Sequence, residues 1–522
     1  MTSARHAGRV YLIGAGPGDP GLMTARGVKL LAGADVVVYD RGVEGALRWA
    51  RTDAEQIAAG APAERETAQD AISMLLAEKA RDGHTVARLK WGDPYVFDSG
   101  AKEALFLHEQ GVPFEVVPGV PAAIGATAYA GVPLTYPGAS DVLVLIRGHE
   151  DEIDDIPDVD WPALASLDGT LLCYAGARLV PTVLTRLLEH GAAPDQSAAL
   201  VYRGTLPGQR TIEGTIQTLL DQTSGASESQ GEPGLLIVGD VAGLRDHLRW
   251  FDERPLFGRR IVFTGAAEQA RQLCDALEDL GADAIEAPTF RIAPPEDPEA
   301  IDRAAASVDK FHWVVFESAT AVSRLLGALL RGPRDVRAFG RVAVCAIGAS
   351  TVDQLAAAGI KPDVVIPEFR VESIGEGLAA RGDLTGQSVL VVRPDHLRDL
   401  LAEDLTRRGA IVTDLVAYRT AADEAESPAV QELYRLMLEG HVDAVAFTSP
   451  TAVSRFASLF GTEPAADLLN TTVVAAIGPV TAAAAAALGI ENVLVGEAFT
   501  IEGLVEALVS RLSGDVELKT QN

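Results

Sequence analysis

The sequence has few cysteines and no long apolar run. Its 522 residues include three cysteines, Cys173, Cys274 and Cys345, which lie far apart and form no CxxC pair. This argues against a disulfide framework or a cysteine zinc site, and favours buried, small apolar side chains. No uninterrupted run of about 18 apolar residues occurs, and the N-terminus lacks the regions of a signal peptide. We therefore expect a cytoplasmic protein.

Positive charge is also scarce. The chain carries 44 Lys and Arg against 73 Asp and Glu, a formal net charge of -29. This balance disfavours nucleic acid and anionic membranes as partners, since the long-range field repels phosphate. An acidic ligand would need local clusters of arginines or helix N-termini.

His84, His108 and His149 read as surface or capping residues, and no metal site is expected.

Hydrophobic residues make up 48% of the chain, and 50 Gly and 28 Pro are spread along it. Length and composition predict several globular α/β domains. Apolar runs that end in glycine, proline or polar residues predict strands and, because helical stretches alternate with them, mixed or parallel sheets. The predicted strands of the first part are 10–14, 35–39, 86–90, 114–117, 142–147, 170–174, 198–202 and 235–238.

The chain divides at a charged, proline-containing segment. We predict a first domain over 1–251, a linker over 252–257, and a second domain over 258–515 that begins with a strand at 260–264. Residues 224–233 are small and polar and read as an exposed loop.

The second domain contains an internal duplication. FESATAVSR from Phe316 matches FTSPTAVSR from Phe447, CAIGAST matches AAIGPVT, and GRRIVFTG resembles GQSVLVVR, at offsets of about 130 residues. Each copy has strands that end in Ser, Thr or Gly just before a helix, which suits anionic groups. Ser318, Thr320, Ser449 and Thr451 can equally be ordinary helix N-caps. Two similar lobes would form a cleft for a small molecule.

A glycine-rich loop, GAGPGDPGLMT, follows the first strand. Gly14, Gly16 and Gly18 allow tight turns and close approach of a ligand. A dinucleotide fingerprint requires glycine where Asp19 stands, and Pro17 stiffens the turn, so an oxidoreductase is disfavoured although not excluded.

In the first part, VYLIGAGPGDPGLMT, ADVVVYDRGV, RLKWGDPYVF, VVPGVPAAIGATAYAGVPLTY and PGLLIVGDVAGLRDHLRWF occur in an order that resembles the uroporphyrinogen-III methyltransferases, members of the tetrapyrrole methylases. The resemblance implies two α/β lobes, S-adenosylmethionine in the cleft, a homodimer formed through this half, and Asp40 as proton acceptor. It also implies a set of cofactor-binding positions: Gly14, Gly16, Pro17, Trp91, Gly92, Asp93, Val96, Pro121, Ala122, Ala175 and Gly204.

Three positions depart from that family's pattern. Trp91 stands where the family usually has glycine, and Pro121 where it has threonine. Ala61 replaces a lysine that the family uses as a proposed proton donor, and Arg65 is a candidate substitute. These departures keep open a tetrapyrrole-binding or scaffold protein whose methylase half has lost its chemistry.

From residue 255 the duplicated region resembles the uroporphyrinogen-III synthases in RRIVFTG, FESATAV, VLVVRP, DLVAYRT, VAFTSPTAV and the closing GEAFTIEGLVEAL, although Gly265 and Ala266 replace the family's Arg-Pro. The resemblance implies one lobe from 258–293 with 423–512, another from 294–420, and a two-strand connection between them.

The implied reaction closes the linear tetrapyrrole hydroxymethylbilane with inversion of its last ring. Tyr418 matches the tyrosine suggested to help the hydroxyl group leave, while its equivalent in the other repeat is Phe290. A tyrosine that merely packs between lobes is the alternative. Ser318, Thr320, Thr448, Ser449 and Gly478 are the candidate contacts to substrate carboxylates. The product of this half would be the substrate of the first half, which would methylate it to precorrin-2 on the way to sirohaem and cobalamin.

Overall fold

The computed structural model describes residues 8–51, 54–59, 65–148, 158–176, 178–224, 234–264, 267–287, 290–366, 371–395, 400–422 and 428–513. Its contacts divide these residues into two units. The first unit contains the described residues up to Arg259 together with 277–283, and the second contains 260–276 together with 284–513.

Ten strands belong to the first unit: β1 (Arg9–Gly14), β2 (Val36–Tyr39), β3 (Glu55–Ala58), β4 (Thr85–Lys90), β5 (Phe114–Val117), β6 (Leu143–Arg147), β7 (Thr170–Tyr174), β8 (Ser197–Tyr202), β9 (Arg210–Thr215) and β10 (Gly234–Val238). Its helices are α1 (Ala25–Leu31), α2 (Arg65–Arg81), α3 (Gly100–Glu109), α4 (Ala122–Tyr129), α5 (Trp161–Ala165), α6 (Val180–Glu189), α7 (Ile216–Thr223) and α8 (Arg245–Leu248).

These strands form two five-stranded sheets. The first, ordered β3-β2-β4-β1-β5, is parallel throughout. The second, ordered β6-β7-β10-β8-β9, pairs β6 with β7 in parallel and the rest antiparallel. Central strands such as β10 are buried along their whole length, as expected for strands with helices on both faces. The fold-class prediction of α/β is confirmed.

The second unit has strands β11 (Arg260–Thr264), β12 (Asp283–Glu286), β13 (Phe290–Ala293), β14 (Trp313–Phe316), β15 (Ala343–Ile347), β16 (Val364–Ile366), β17 (Ser388–Pro394), β18 (Ile411–Ala422), β19 (Ala444–Phe447), β20 (Val473–Ala476) and β21 (Leu494–Val495). Its helices are α9 (Ala267–Asp279), α10 (Pro298–Ala306), α11 (Ala319–Arg331), α12 (Ala349–Ala357), α13 (Val371–Ala379), α14 (Leu400–Arg407), α15 (Pro428–Leu438), α16 (Pro450–Phe460), α17 (Thr462–Asn470), α18 (Pro479–Ala487) and α19 (Ile501–Ser513).

The duplicated segments give two sheets with corresponding strand orders. One is β12-β11-β19-β20-β21, and the other is β13-β18-β17-β14-β15-β16. The first sheet therefore combines the start and the end of this unit, and the second uses its middle. Strand β13 lies in the predicted first lobe by sequence, yet it joins the second sheet because it pairs antiparallel with β18.

No helix in the described ranges is long and apolar enough to cross a membrane. Across the same ranges, no group of three or more His, Cys, Asp or Glu side chains is placed to hold a metal ion.

Candidate active sites

Three glycine-containing loops meet at the C-terminal ends of β1, β4 and β5. The Gly92 N–H donates to the Gly16 carbonyl at 2.8 Å, and the Gly16 N–H donates back at 3.3 Å. A Cβ atom on Gly119 would lie 2.1 Å from the Gly92 oxygen, and one on Gly14 would lie 2.5 Å from the Gly119 Cα. Glycine at 14 and 119 is thus required for close packing of the loops.

Asp93 fastens two of these loops together. Its Oδ2 accepts a hydrogen bond from the Gly119 N–H at 3.0 Å, and its Oδ1 accepts one from the Tyr95 N–H at 2.8 Å. Both bonds are of ordinary length for N–H donors. The carboxylate therefore holds the shape of the loops, whatever contact it makes with a ligand.

A cavity of about 560 Å³ opens beside the loops, and residues from both sheets line it. Its volume is within the range of small-molecule sites, roughly 300–1,000 Å³. Nine sequence-predicted residues line it: Pro17, Asp40, Trp91, Gly92, Asp93, Val96, Pro121, Ala122 and Gly204. Gly14, Gly16 and Ala175 are not among the lining residues. Trp91 is 37% exposed and forms part of the wall, so the cavity persists beside it.

Several lining residues were missed by the sequence analysis. They follow strands or adjoin the loops: Arg41, Phe97, Asp98, Arg147, Tyr174 and Arg203. Arg147 and Tyr174 are the last residues of β6 and β7. Their position at predicted strand ends was therefore the sequence feature that could have identified them. The three arginines are a local cluster of positive charge of the kind that an acidic ligand would need in this acidic protein.

Two aromatic residues are held against each other in the wall. The Phe97 and Tyr174 rings pack edge to face, with centroids 5.3 Å apart. The Ala123 N–H, in the first turn of α4, donates to the Tyr174 Oη at 3.0 Å. Burial raises the pKa of Tyr174, so its phenol is neutral at physiological pH.

Three non-glycine residues at or next to the cavity have left-handed backbones. The φ angles are +54° at Phe97, +49° at Arg203 and +70° at Thr205. Such conformations are disfavoured for these residue types and persist where surrounding contacts hold them. The backbone of segment 203–205 and of the loop at 97 therefore holds conformations that cost free energy, a feature that is common at ligand sites.

Asp19, which stands where a dinucleotide fingerprint needs glycine, is engaged within the protein. Its N–H donates to Thr205 Oγ1 at 3.1 Å, and its carboxylate accepts from the Tyr129 Oη at 2.6 Å and from the Gly21 N–H at 2.7 Å. These bonds connect the first glycine loop to α4, through Tyr129, and to the segment after β8, through Thr205. The residue that replaces glycine thus has a structural use, which further disfavours a dinucleotide-binding oxidoreductase.

Asp40, the sequence-predicted proton acceptor, belongs to a buried group of charges. It forms an ion pair with Arg88, and the Lys90 Nζ lies 3.6 Å from its Oδ2. Lys90 is also 3.0 Å from Asp98 Oδ1 and 3.1 Å from Glu103 Oε1. The Arg88 and Lys90 side chains are 1% exposed and that of Glu103 is fully buried. Such a group is tolerated in the interior because each charge has an opposite partner.

Asp98 shares Lys90 with Asp40 and also lines the cavity. Burial raises the pKa of Asp98, and Lys90 opposes the shift. Two carboxyl groups in different environments thus face one cavity. Ala61 lies outside the described residues, as does the side chain of Arg65, the first residue of α2.

A second candidate site lies at the C-terminal ends of β14 and β17, next to the part of the parallel strand β18 that pairs with the end of β17. Ser318 follows β14 and caps α11, since its Oγ accepts from the Ala321 N–H at 3.2 Å. The same Oγ lies 3.1 Å from the Tyr418 Oη, and the Thr320 side chain is close enough to this phenol to lower its pKa, as Ser318 does. The fold therefore brings together Ser318, Thr320 and Tyr418, all three predicted from sequence.

The other predicted residues of this half lie at strand ends in the other sheet. Ser449 caps α16 through the Ala452 N–H at 3.1 Å, and Gly478 precedes α18. Thr448 is buried, and its Oγ1 donates to the Thr264 carbonyl at 3.3 Å. Ser318 and Ser449 are N-caps, and their contacts to substrate stay a prediction. Gly265 and Ala266 lie outside the described residues, as does the Phe290 side chain.

Glu317 was missed by the sequence analysis. It follows β14 directly, and its N–H donates to the Val392 carbonyl at 3.1 Å. Burial raises its pKa to about 7; the nearby Arg393 opposes this shift and Asp414 adds to it. Arg393 is itself paired with Asp414 through two hydrogen bonds of 2.7 and 2.6 Å. The sequence feature that could have identified Glu317 was its position in the repeat, because the other copy has Thr448 at that position.

Two family models match the chain. Residues 9–220 match the tetrapyrrole (corrin/porphyrin) methylases, and residues 271–506 match the uroporphyrinogen-III synthase HemD. Three relatives illustrate the similarity. A porphyrin biosynthesis protein HemD from Ruminiclostridium josui is 31% identical over 98% of this chain and 99% of its own length. A uroporphyrinogen-III C-methyltransferase from Bacillus subtilis is 35% identical over 63% of this chain and 68% of its own.

A siroheme synthase from Neisseria meningitidis is 44% identical over 47% of this chain, and the chain spans about half the length of that relative. Together with the fold, these matches define a tetrapyrrole biosynthesis protein with a methyltransferase domain followed by a synthase domain. The chain belongs to the family that joins a tetrapyrrole methylase to a uroporphyrinogen-III synthase, with the porphyrin biosynthesis protein HemD as a full-length relative.

Proposed function

We propose that the second unit cyclises hydroxymethylbilane to uroporphyrinogen III and that the first unit methylates this product to precorrin-2, with S-adenosylmethionine as methyl donor. The observation that carries the proposal for the first unit is the cavity of about 560 Å³ lined by Asp40, Trp91 and Arg147. The similarity to a uroporphyrinogen-III C-methyltransferase supports the reaction, and that to a siroheme synthase supports the sirohaem branch.

The residues around this cavity suit a sulfonium cofactor and an acidic macrocycle. Glycine loops and the N-terminal turn of α4 offer backbone groups at one wall, and Arg41, Arg147 and Arg203 offer partners for carboxylates. S-adenosylmethionine supplies an activated methyl group when it is bound. The chain's own task is to hold the macrocycle in line with that group and to accept a proton, for which Asp40 is the proposed acceptor.

In the second unit, the proposed work is to hold a flexible linear chain in one compact conformation and to help its terminal hydroxyl group leave. The Tyr418 phenol is the proposed hydrogen-bond donor to that group. Burial raises its pKa, hydrogen bonds from Ser318 and Thr320 oppose the shift, and the phenol is therefore protonated at neutral pH. Backbone N–H groups at the starts of α11, α16 and α18 are the proposed partners of the carboxylates.

One alternative is favoured by particular residues. Trp91 forms part of the cavity wall where the family usually has glycine, and Ala61 replaces the family's proposed proton donor. These residues support a chain in which only the synthase is active and the methylase half binds a tetrapyrrole or acts as a scaffold. That chain would bind ligands without transferring methyl groups.

The test uses the full chain with a single added substrate for each half. Uroporphyrinogen III and S-adenosylmethionine test the first unit, and hydroxymethylbilane alone tests the second. Methylated product in the first reaction and the inverted isomer in the second support both activities. Binding of S-adenosylmethionine without methylated product selects the alternative, and failure to bind it contradicts the proposal for the first unit.

The family resemblance also leads us to propose a homodimer formed through the methyltransferase half. Size-exclusion chromatography with light scattering should then give twice the chain mass of 54.8 kDa. A monomer at micromolar concentration would contradict this assembly.

A further inference from the structure

We propose that the Glu317 carboxyl group donates the proton to the hydroxyl group that leaves when the second unit closes its linear tetrapyrrole. The proposal rests on the synthase function given above. It adds a proton source to Tyr418, whose phenol the family resemblance already assigns to this step.

The first argument is position. Glu317 follows β14 and Arg393 lies near the end of β17, while Tyr418 pairs with Pro394, the last residue of β17, so all three stand at the edge of the sheet where β14 and β17 end. Sites in open α/β sheets form at this edge. The next residue, Ser318, places its Oγ 3.1 Å from the Tyr418 phenol. Glu317 therefore adjoins the group that the reaction is expected to use.

The second argument is the state of the carboxyl group. Among the described residues, the Glu317 Oε2 is a buried atom without a hydrogen-bond partner. A buried oxygen of this kind is costly, and native structures usually pair it. The nearby Arg393 directs its Nε and one terminal nitrogen to Asp414 and its other terminal nitrogen to the Pro394 carbonyl. The Glu317 Oε2 is thus the oxygen that we propose to carry the proton for the substrate.

The third argument comes from the duplication. Thr448 occupies the place of Glu317 in the other copy, and Phe290 occupies that of Tyr418. Phe290 lies in β13, which pairs with β18, so Tyr418 and its repeat equivalent belong to the same sheet. The comparison that bears on Glu317 is the one with Thr448, which follows β19 in the other sheet, where the same packing is reached without a carboxyl group.

Burial and the neighbouring charges together bring the pKa of Glu317 close to neutral pH. Burial is the main cause, with the Asp414 carboxylate adding to it and Arg393 opposing it, and the pKa is raised to about 7. Tyr418, Arg455 of α16 and Asp395, whose N–H donates to the Tyr418 carbonyl at 3.1 Å, are further titratable groups at this edge. A group that is half protonated near neutral pH is well suited to general acid catalysis.

The step balances without a further reactant. The Glu317 proton passes to the terminal hydroxyl group, the carbon–oxygen bond breaks, and water leaves as the pyrrole nitrogen's electron pair forms the azafulvene cation. The substituted α-carbon of the last ring then attacks the cation, the old bond from that carbon to its bridging carbon breaks, and the bridging carbon forms a new bond to the free α-carbon of the same ring. The proton lost from this free α-carbon can return to the Glu317 carboxylate, which restores the starting state.

The experiment measures the initial rate of uroporphyrinogen III formation by the full chain from hydroxymethylbilane between pH 5.5 and 9, with isomers resolved by chromatography. The wild-type rate should fall as pH rises through about 7, because the acid form is the active one. Glu317→Gln should lower the rate by about 100-fold and remove this decline. Glu317→Thr, which copies the other repeat, should do the same and guards against an effect peculiar to glutamine.

Glu286→Gln is the matched control, since it makes the same change at the end of β12 in the other sheet. It should keep the wild-type rate and pH profile. If the wild type forms the inverted isomer and both Glu317 variants match it, only this proposal fails. A slowed variant that keeps the decline near pH 7 overturns it as well, because another group must then titrate. If the wild type forms no inverted isomer, the synthase function itself fails.

Discussion

At the scale of single residues, Asp40 is the group whose chemistry is most directly testable. Its carboxylate lines the cavity and is held by Arg88 and Lys90. Asp40→Asn keeps the shape but cannot accept a proton, so methyl transfer should fall by about 100-fold or more. S-adenosylmethionine affinity, measured by calorimetry on the full chain, should change by less than about threefold. Unchanged methyl transfer would remove Asp40 from the reaction.

Glu317 also makes a prediction about stability. Its pKa is raised to about 7 by burial from an ordinary value of 4.5. Folding therefore disfavours the charged form, and this penalty is absent below pH 4.5, grows as pH rises, and is complete above about pH 7. Glu317→Gln should be more stable than the wild type at pH 8, by on the order of 2 kcal/mol, and closer to it at pH 5.

Thermal unfolding of both proteins at the two pH values checks this expectation. Asp414→Asn offers a comparison, because it removes the neighbouring carboxylate that adds to the shift. A stability difference that does not depend on pH would show that the Glu317 carboxyl group does not titrate on folding.

Sequence motifs led to several residues of the first cavity, because Pro17, Asp40 and Trp91 occur in continuous stretches. Arg147, Tyr174 and Arg203 come from strand ends in a separate sheet, and no local pattern joins them to the glycine loop. Glu317 was missed for a related reason. Its significance depends on burial and on the neighbouring strands, which a single stretch of sequence does not contain.

At the scale of elements, the three loops at the ends of β1, β4 and β5 act as one structure because their backbones touch. A Cβ atom on Gly119 would meet the Gly92 oxygen at 2.1 Å. Gly119→Ala must therefore separate the loops, and it should cost about 1–3 kcal/mol of stability and weaken S-adenosylmethionine binding.

Gly33→Ala is the control, since the atom nearest to its new Cβ lies 3.7 Å away. Unfolding in urea and calorimetric titration of both variants measure the two effects. Equal behaviour of the two variants would contradict the tight packing described for the loops.

Strand prediction succeeded where apolar runs were continuous. The segments at 10–14, 114–117, 170–174 and 260–264 agree with strands to within a residue. Strands β3 and β9 were missed, because both lie at sheet edges and carry alternating or polar side chains such as Glu55 and Glu213. Edge strands bury one face at most, so their sequences lack the long apolar signal.

At the scale of the whole molecule, the order of the two reactions gives a further expectation. The second unit would supply the substrate of the first, so inactivating one half should stop the sequence at a known point. Asp40→Asn supplied with hydroxymethylbilane and S-adenosylmethionine should accumulate uroporphyrinogen III. Tyr418→Phe should yield little of it, yet should methylate added uroporphyrinogen III at the wild-type rate. Product analysis by mass spectrometry distinguishes these outcomes.

The duplication could be detected in the sequence at offsets near 130 residues, and the two sheets repeat one strand order as that implies. The position of β13 did not follow from the repeat, since its pairing with β18 is a long-range contact. Local pattern thus indicates which units exist, while the pairing of distant segments decides which sheet each one joins.

The most direct test of the central claim supplies the purified full chain with hydroxymethylbilane and S-adenosylmethionine together and identifies the product by absorbance and mass. Two working halves predict a uroporphyrinogen III skeleton that carries two added methyl groups. Unmethylated uroporphyrinogen III as the sole product, with S-adenosylmethionine unconsumed, would contradict the account.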